Sequence, residues 1–367
     1  MPDSSLSAFS SNVVRLAPRH WLVALGLIVA LCWAIPIAWQ RAEPLQAGPD
    51  YRLPYSLGED YWLYQRRCGQ AASQDATLVI GDSVVWGHYV GKEETLSHYL
   101  SELGGGRFLN LGVDGIHPVA MAGLVEHYGR ALRGKKVLLH CNLLWMSSKT
   151  HDLQLDKHFA FNHPRLVPQF SPPIPCYKEP VARRLSMVVE RNVPFFGWVN
   201  HVRAAYFGNT DFWAWTMEHP YDNPLRAVTF ELPSADEGPT PPPTPETWTQ
   251  RGIRSFSPAW VDLDQSLQWA SFRRTVQTLR GRGNRLFVLV GPFNEHLLKH
   301  PSRQAYRDRV AGVASWLAQH GIAHFAPPPL ASHLYADASH PLRYGYAALA
   351  KQLLASAPFR EFLEGVE

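Results

Sequence analysis

Residues 76–87 read ATLVIGDSVVWG, a short apolar run followed at once by turn-forming residues. An apolar run of this length is typical of a strand that is buried on both faces. Four similar runs alternate with amphipathic segments, so the sequence predicts an α/β fold with a five-stranded parallel sheet and right-handed helical crossovers. The predicted strands are Ala76–Ile80, Arg107–Leu111, Lys136–Cys141, Arg285–Val290 and Ile322–Phe325, and the predicted helices lie near Glu94–Leu103, Pro118–Leu132, Ser266–Arg280, Gln304–His320 and Tyr344–Leu354.

The interval 148–261 interrupts this alternation, because it is too long for a connection within a compact domain. It is rich in Trp, Phe, Tyr and Pro and contains a loop-like run at 232–245. We interpret it as an insertion. Core packing is the favoured role of its aromatic residues, with stacking on sugar rings or contact with a membrane surface as alternatives. These residues include Trp198, Tyr206, Phe212, Trp213 and Trp215.

An uncharged segment near the start of the chain, Trp21–Trp39, is long enough to cross a bilayer core as a helix and has tryptophans at both ends. The residues after Pro36 fit a signal-peptidase site poorly, and the segment lacks the polar face of a buried core helix. The sequence therefore predicts one uncleaved transmembrane anchor. Arginines flank the segment on both sides, so they do not indicate an orientation. The short N-terminal tail and the large C-terminal part instead predict that the N-terminus lies in the cytoplasm. The expected organisation is a cytoplasmic tail at 1–20, the anchor at 21–39, a linker at 40–75 and a catalytic domain at 76–367 that contains the insertion.

Composition excludes several classes of function. The chain of 367 residues is 46% hydrophobic and 18% charged, so it is expected to fold around a large core. Its net charge of +4 is spread without a block of Lys or Arg, so no nucleic-acid partner is expected. No CxxC motif occurs, and Pro301 disfavours a metal site at His296 and His300, so neither a metal nor a cofactor is expected. Among the four cysteines, only Cys68 and Cys176 could pair in an oxidising compartment.

Ser83 is expected on the tight turn after the first strand, where open α/β sheets bind ligands. A Gly-Asp-Ser triplet is by itself also ordinary turn chemistry. Asp337 and His340, three residues apart, follow the last predicted strand and are expected at the same edge of the sheet. A serine nucleophile needs an imidazole base, and a carboxylate fixes the tautomer of that imidazole. These three residues are therefore the candidate catalytic set, with Ser83 as the nucleophile.

Two further turns carry candidate donors for an oxyanion. Gly115 ends the segment NLGVDG after the second strand, where a glycine lets a backbone N–H approach a substrate oxygen closely. The side-chain amide of Asn142, directly after the third strand, is a second candidate. A plain strand-to-helix turn remains the alternative for the glycine segment. Asn294 and His296 follow the fourth strand and are candidates to line the pocket, with a structural loop equally expected.

Taken together and in this order, these blocks resemble the SGNH (GDSL-like) hydrolase superfamily, whose name lists its Ser, Gly, Asn and His. The resemblance covers roughly residues 76–142 and 269–354, and it implies a flavodoxin-like three-layer α/β/α sandwich. The segment at 140–143, around Asn142, departs from the family pattern. His140 stands where the family usually has glycine, and Leu143 stands where it usually has aspartate. The positions that the resemblance assigns are Ser83 as nucleophile, Gly115 and Asn142 as the oxyanion hole, and Asp337 with His340 as the proton relay.

With an anchor in front, the chain is similar in architecture to SGNH proteins that act beside membrane-bound O-acyltransferases in bacterial polysaccharide acetylation. This resemblance implies transfer of an acyl group, expected by analogy to be acetyl, between an ester donor and an envelope or exported polysaccharide, without a cofactor. The implied location is the bacterial inner membrane, with a single span and the catalytic domain on the periplasmic side. Two alternatives stay open: a membrane-anchored carboxylesterase or lipase, and a catalytically silent scaffold or binding subunit.

Overall fold

The computed structural model describes residues 17–156, 161–234 and 246–365. Most of the predicted cytoplasmic tail and most of the loop-like run at 232–245 lie outside these ranges. The strands are β1 (Thr77–Ile80), β2 (Phe108–Asn110), β3 (Lys136–Cys141), β4 (Arg285–Val290) and β5 (Ala323–Phe325). The helices are α1 (Pro18–Ala42), α2 (Tyr61–Ala72), α3 (Ser83–Trp86), α4 (Leu96–Gly104), α5 (Pro118–His127), α6 (Val181–Asn192), α7 (Pro194–Tyr206), α8 (Phe212–Glu218), α9 (Pro224–Ala227), α10 (Leu267–Gly281), α11 (His300–Gln319), α12 (Arg343–Ala355) and α13 (Ala357–Glu364).

The strands form one sheet in the order β2-β1-β3-β4-β5, and every neighbouring pair is parallel. This confirms the predicted five-stranded parallel sheet. The strand order reverses between β1 and β3, and sheets of this kind bind ligands beyond the carboxyl ends of the strands at such a point. Ile80 of β1 pairs with Leu139 of β3. The two segments therefore leave the sheet close together.

Helices cover both faces of the sheet. One face carries α2, α5, α10 and α11, and the other carries α3, α4, α12 and α13. Successive side chains of a strand point to opposite faces, so Leu78 and Ile80 pack into the first layer and Val79 into the second. The arrangement is the three-layer α/β/α sandwich that was predicted.

Part of the predicted linker at 40–75 belongs to the folded domain, which corrects that boundary. Residues 61–72 form α2, and the side chain of Asp60 caps the helix by accepting a hydrogen bond from the N–H of Leu63 at 2.9 Å. Leu63 and Cys68 are fully buried in the core. Most of the apolar side chains of the helix are buried in the core that covers one face of the sheet.

Helix α1 is long and apolar enough to cross a membrane. It has 25 residues, a mean hydropathy of 2.4 over its most apolar window, and only 6% of that window is buried by protein. A core helix would be covered on at least one face, so this low burial speaks against the alternative of a buried core helix. The predicted segment Trp21–Trp39 lies within α1.

The insertion contains α6 to α9, and its described part has no strand. Two of its aromatic side chains pack against the end of α1, with the rings of Trp198 and Tyr206 centred 5.3 and 6.2 Å from that of Trp39. Phe212 and Trp213 of α8 are instead 58% and 75% exposed. Core packing therefore describes only some of the aromatic residues of the insertion.

The two cysteines that could have paired do not form a disulfide. Cys68 in α2 and Cys176 in the insertion are both thiols. Burial raises the pKa of the Cys68 thiol to about 12. Such a thiol is a packing residue, because the reactive thiolate is suppressed.

A buried ion cluster joins the end of α1 to α2 and α7. His201 Nδ1 lies 2.6 Å from Asp60 Oδ2, and His201 Nε2 lies 2.9 Å from Glu43 Oε1. Arg66 and the hydroxyl of Tyr206 also donate to Glu43. Burial disfavours a charged imidazole, but the two carboxylates outweigh it and raise the pKa of His201 to about 9. His201 is therefore an imidazolium at neutral pH, and both of its nitrogens donate.

We expect this cluster to make stability fall as the pH rises from about 6.5, the usual pKa of histidine, to about 9. The folded-state pKa is raised, so the stabilisation is complete below the unfolded-state pKa and is lost above the folded-state one. The loss is on the order of 3 kcal/mol, since one pKa unit corresponds to about 1.4 kcal/mol. Thermal unfolding of the full chain in detergent, across this pH interval, measures it. His201→Gln should be less stable and should lack the dependence, and an equal decline in both proteins would contradict the assignment.

Candidate active site

Ser83 is the first residue of α3, directly beyond the carboxyl end of β1. The side chain of Asp82 caps this short helix, with Oδ1 3.1 Å from the nitrogen of Val84. At the other end, the N–H of Gly87 donates to the carbonyl oxygen of Ser83 at 2.9 Å. Ser83 is 8% exposed. The turn thus holds the hydroxyl in one place with a narrow access to solvent.

The structure brings the three candidate catalytic residues into contact. His340 Nε2 lies 2.8 Å from Ser83 Oγ, across a separation of 257 residues. His340 Nδ1 lies 2.8 Å from both carboxylate oxygens of Asp337. Because a carboxylate only accepts, Nδ1 carries the proton and Nε2 presents its lone pair to the serine hydroxyl. The N–H groups of Ser339 and His340 donate to Asp337 Oδ1 at 3.0 Å, so the loop itself orients the carboxylate.

The electrostatics of the pair favour proton transfer. Burial opposes the imidazolium, but the Asp337 carboxylate outweighs it and raises the pKa of His340 above its usual value. Burial also opposes the carboxylate, while His340 and the loop N–H groups lower the pKa of Asp337 well below its usual range. The carboxylate therefore stays ionised and stabilises the imidazolium that forms when the serine loses its proton.

A buried hydrogen-bond network surrounds Asp82, the residue directly before Ser83. Asp82 Oδ1 lies 3.1 Å from His140 Nδ1, and Oδ2 accepts from Asn142 Nδ2 at 2.7 Å and from Trp145 Nε1 at 2.9 Å. Burial alone would raise the pKa of Asp82, but these partners, His140 first among them, lower it to about 2. The histidine at the family's usual glycine position thus has a structural role, which is to hold the Asp82 carboxylate.

Asn142 is held in a fixed orientation beside this network. One N–H of its amide goes to Asp82, and its Oδ1 accepts from the N–H of Leu144 at 3.0 Å. An amide nitrogen has two N–H bonds, so one remains for a substrate oxygen. Asn142 as an oxyanion donor stays a prediction, with a geometry that suits it.

The loop at 112–115 packs tightly against α3, the short helix that begins at Ser83. A Cβ at Gly112 would lie 2.5 Å from the nitrogen of Trp86, so only glycine is tolerated there. Gly115 has φ 68°, a left-handed conformation that glycine adopts without strain. In the described ranges, the N–H groups of Ser83 and Gly115 have no backbone hydrogen-bond partner. Both are therefore available to an oxyanion.

The insertion supports this loop from its other side. Asn162 Nδ2 donates to the carbonyl oxygen of Gly115 at 3.3 Å, and His163 Nε2 donates to that of Asp114 at 3.1 Å. Since a carbonyl only accepts, His163 Nδ1 has the lone pair and accepts from the Tyr61 hydroxyl at 2.9 Å. Sequence analysis missed Asn162 and His163, because nothing in the insertion relates it by periodicity to the sheet edge.

Asn294 and His296, the two candidates after β4, lie in different surroundings. Asn294 is fully buried, its N–H donates to the carbonyl oxygen of Ala338 at 2.8 Å, and its Nδ2 donates to that of Asp337 at 3.1 Å. It supports the loop of Asp337 and His340, which agrees with the structural-loop alternative and not with a place in the pocket lining. His296 is exposed, with Nε2 3.0 Å from the carbonyl oxygen of Leu330.

Two residues that sequence analysis missed flank the catalytic imidazole. The rings of His88 and Tyr89 are each centred 5.4 Å from that of His340. The guanidinium of Arg251, near the end of the insertion, lies 4.5 Å above the Tyr89 ring. The closeness of His88 and Tyr89 to Ser83 in sequence was a signal that could have found them.

Comparisons with known proteins do not assign the chain to a family. No family model matches it, and a search of the curated proteins finds no match. Among the residues that the structure describes, no group of three or more His, Cys, Asp or Glu is placed to hold a metal ion. The SGNH resemblance therefore stays a prediction supported by motif order and geometry.

We expect Asp337→Asn to lower the pH at which ester hydrolysis becomes active. His340 works as a base only when neutral, so wild-type activity should rise with pH through the raised pKa of His340. The substitution removes the carboxylate charge that raises the pKa of His340, so activity should begin at a lower pH. It also allows the imidazole to take the wrong tautomer, so the rate should fall about 10⁴-fold. The kcat/KM for p-nitrophenyl acetate as a function of pH measures both effects. Asp308→Asn, on the exposed surface of α11, is the control, and an unchanged apparent pKa in Asp337→Asn would refute the prediction.

Proposed function

We propose that the protein is a serine-dependent acyltransferase or esterase of the SGNH type, which forms an acyl-enzyme at Ser83. The observation that carries this proposal is the relay from Ser83 Oγ to His340 Nε2 and from His340 Nδ1 to Asp337, with 2.8 Å at each contact. A scaffold or binding subunit has no need for a serine oriented toward an imidazole lone pair. The relay therefore favours an enzyme over a silent subunit.

The first half-reaction forms the acyl-enzyme. His340 Nε2 takes the proton of the Ser83 hydroxyl while Oγ attacks the carbonyl carbon of an acyl ester. The negative charge develops on the carbonyl oxygen, where the N–H groups of Ser83 and Gly115 and the amide of Asn142 are the available donors. His340 then gives its proton to the leaving alkoxide, and the acyl group stays on Ser83.

The second half-reaction returns the serine. A hydroxyl group gives its proton to His340 and attacks the acyl carbon, after which Ser83 Oγ leaves and takes that proton back. Water as the acceptor gives a carboxylic acid, and a sugar hydroxyl gives an acylated saccharide. Both outcomes use the same residues, and neither requires a cofactor.

The surroundings of Ser83 favour a small acyl group. Ser83 is 8% exposed, and the Gly112 loop packs directly against its turn. An acetyl group fits this restriction better than a long chain. Following the SGNH resemblance, we propose acetyl transfer to or from an envelope or exported polysaccharide, with α1 as the anchor and the domain on the periplasmic side of the bacterial inner membrane. A membrane-bound O-acyltransferase is the proposed partner and source of the acyl group.

A fluorophosphonate probe tests the nucleophile in the full chain. Wild type should be labelled, Ser83→Ala should not, and the exposed control Ser73→Ala should be labelled like wild type. The reason is that the probe reacts only with a serine whose hydroxyl is activated by a base. Equal labelling of wild type and Ser83→Ala would sink the proposal and favour the silent-subunit alternative.

The acceptor is tested separately. Incubation with an activated acetyl ester and oligosaccharides should yield acetylated saccharide, detected by mass spectrometry, in wild type but not in Ser83→Ala. The acyl-enzyme is the shared intermediate, so both products depend on Ser83. Release of acetate without any acetylated saccharide would identify the protein as an esterase instead.

A further inference from the structure

A second histidine–aspartate pair lies beside the catalytic one. His88 Nδ1 is 2.6 Å from Asp114 Oδ1. Since the carboxylate only accepts, Nδ1 carries the proton and His88 Nε2 has the lone pair. This repeats the arrangement in which Asp337 orients His340 toward Ser83.

The imidazole of His88 lies next to that of His340. The ring centroids of His88 and His340 are 5.4 Å apart, and their planes are inclined by 38°. The side chain of His88 is 24% exposed, and of its two ring nitrogens only Nδ1 has a hydrogen-bond partner within the described ranges. His88 Nε2 is therefore an oriented nitrogen on a partly exposed ring, and this ring neighbours the imidazole of His340.

The position of His88 is fixed by its surroundings. Its N–H donates to the carbonyl oxygen of Ser83 at 3.2 Å. The rings of Tyr55 and Tyr89 are neighbours, centred 6.4 and 4.7 Å from the imidazole. The backbone of Asp114 is held in turn, because its main-chain carbonyl oxygen accepts a hydrogen bond from His163. A ligand thus meets a preorganised acceptor and does not have to immobilise a free side chain.

The formation of the acyl-enzyme makes no use of this pair, because His340 and Asp337 handle the proton of Ser83. Two imidazole lone pairs side by side suit a ligand with two adjacent O–H groups. A sugar ring with neighbouring hydroxyls has this pattern, since one O–H can donate to His340 Nε2 and the next to His88 Nε2. A simple alcohol has one O–H and cannot donate to both.

We infer that His88, oriented by Asp114, is the acceptor site of the enzyme and binds the hydroxyl next to the one that is acylated. The ligand class is a vicinal diol of a carbohydrate. This inference rests on the function proposed above and specifies the acceptor for the same site.

The proton balance of the reaction is unchanged by this site. The attacked hydroxyl gives its proton to His340, which passes it to Ser83 Oγ as the acyl bond to the serine breaks. The neighbouring hydroxyl keeps its proton throughout, and His88 keeps its own. His88 therefore contributes binding and orientation of the acceptor, and not a second proton transfer.

The test compares 1,2-propanediol with 1-propanol as acceptors for the acetyl group of p-nitrophenyl acetate, with the full chain in detergent. Wild type should acetylate the diol in preference to the alcohol, counted per hydroxyl. His88→Ala should lower this preference about fivefold to tenfold, the effect of losing one hydrogen bond. His88→Gln keeps a side-chain acceptor and should retain part of the preference, which also guards against a misfolded alanine variant.

Two outcomes would overturn the inference. One is a wild type without preference for the diol. The other is an equal fall in transfer to both acceptors in the His88 variants, which would mean that the pair only positions the Gly115 loop. Phosphonate labelling separates this inference from the function on which it rests. A wild type that is not labelled contradicts the proposed function itself, whereas a labelled wild type without diol preference contradicts only the acceptor site.

Discussion

The buried carboxylate of Asp82 is the interaction on which the rest of the site depends. It lies between the ends of β1 and β3 and is surrounded by His140, Asn142 and Trp145. A buried carboxylate is costly unless it is fully hydrogen-bonded. Its partners come from β3 and the turn after it, so satisfying the charge fixes the distance between the two strand ends. The positions of Ser83, the residue after Asp82, and of Asn142, one of its partners, follow from that one requirement.

The sheet and the contact between Ser83 and His340 were predictable because their signals are local. Short apolar runs indicate buried strands, and the ends of parallel strands share one edge of the sheet. That geometry placed Ser83 and His340 together in the prediction, although 257 residues separate them. The helix at 61–72 was missed because polar residues interrupt its apolar pattern. One of them, Arg67, is buried in the structure at 1% exposure, where only the tertiary environment makes it acceptable.

The residues that support the site could not be predicted, because a histidine in a sequence does not reveal its partner. The chain has 17 histidines. His140 counted as a departure from the family pattern, yet it is a direct partner of Asp82. His163 belongs to an insertion with no recognisable pattern, and its two nitrogens join Tyr61 to the loop before Gly115. Sequence spacing predicts which residues share an edge, and it carries no information on hydrogen bonds between distant segments.

These distant hydrogen bonds also connect α1 to the candidate active site. His201 bonds both Glu43, just after α1, and Asp60, which caps α2; Tyr61 then bonds His163, and His163 bonds Asp114 beside Gly115. The orientation of the loop at Gly115 relative to α1 is thereby set by a buried framework and not by a flexible tether. The segment at 40–75, predicted as a linker, is therefore part of this framework, since Glu43, Asp60 and Tyr61 all belong to it.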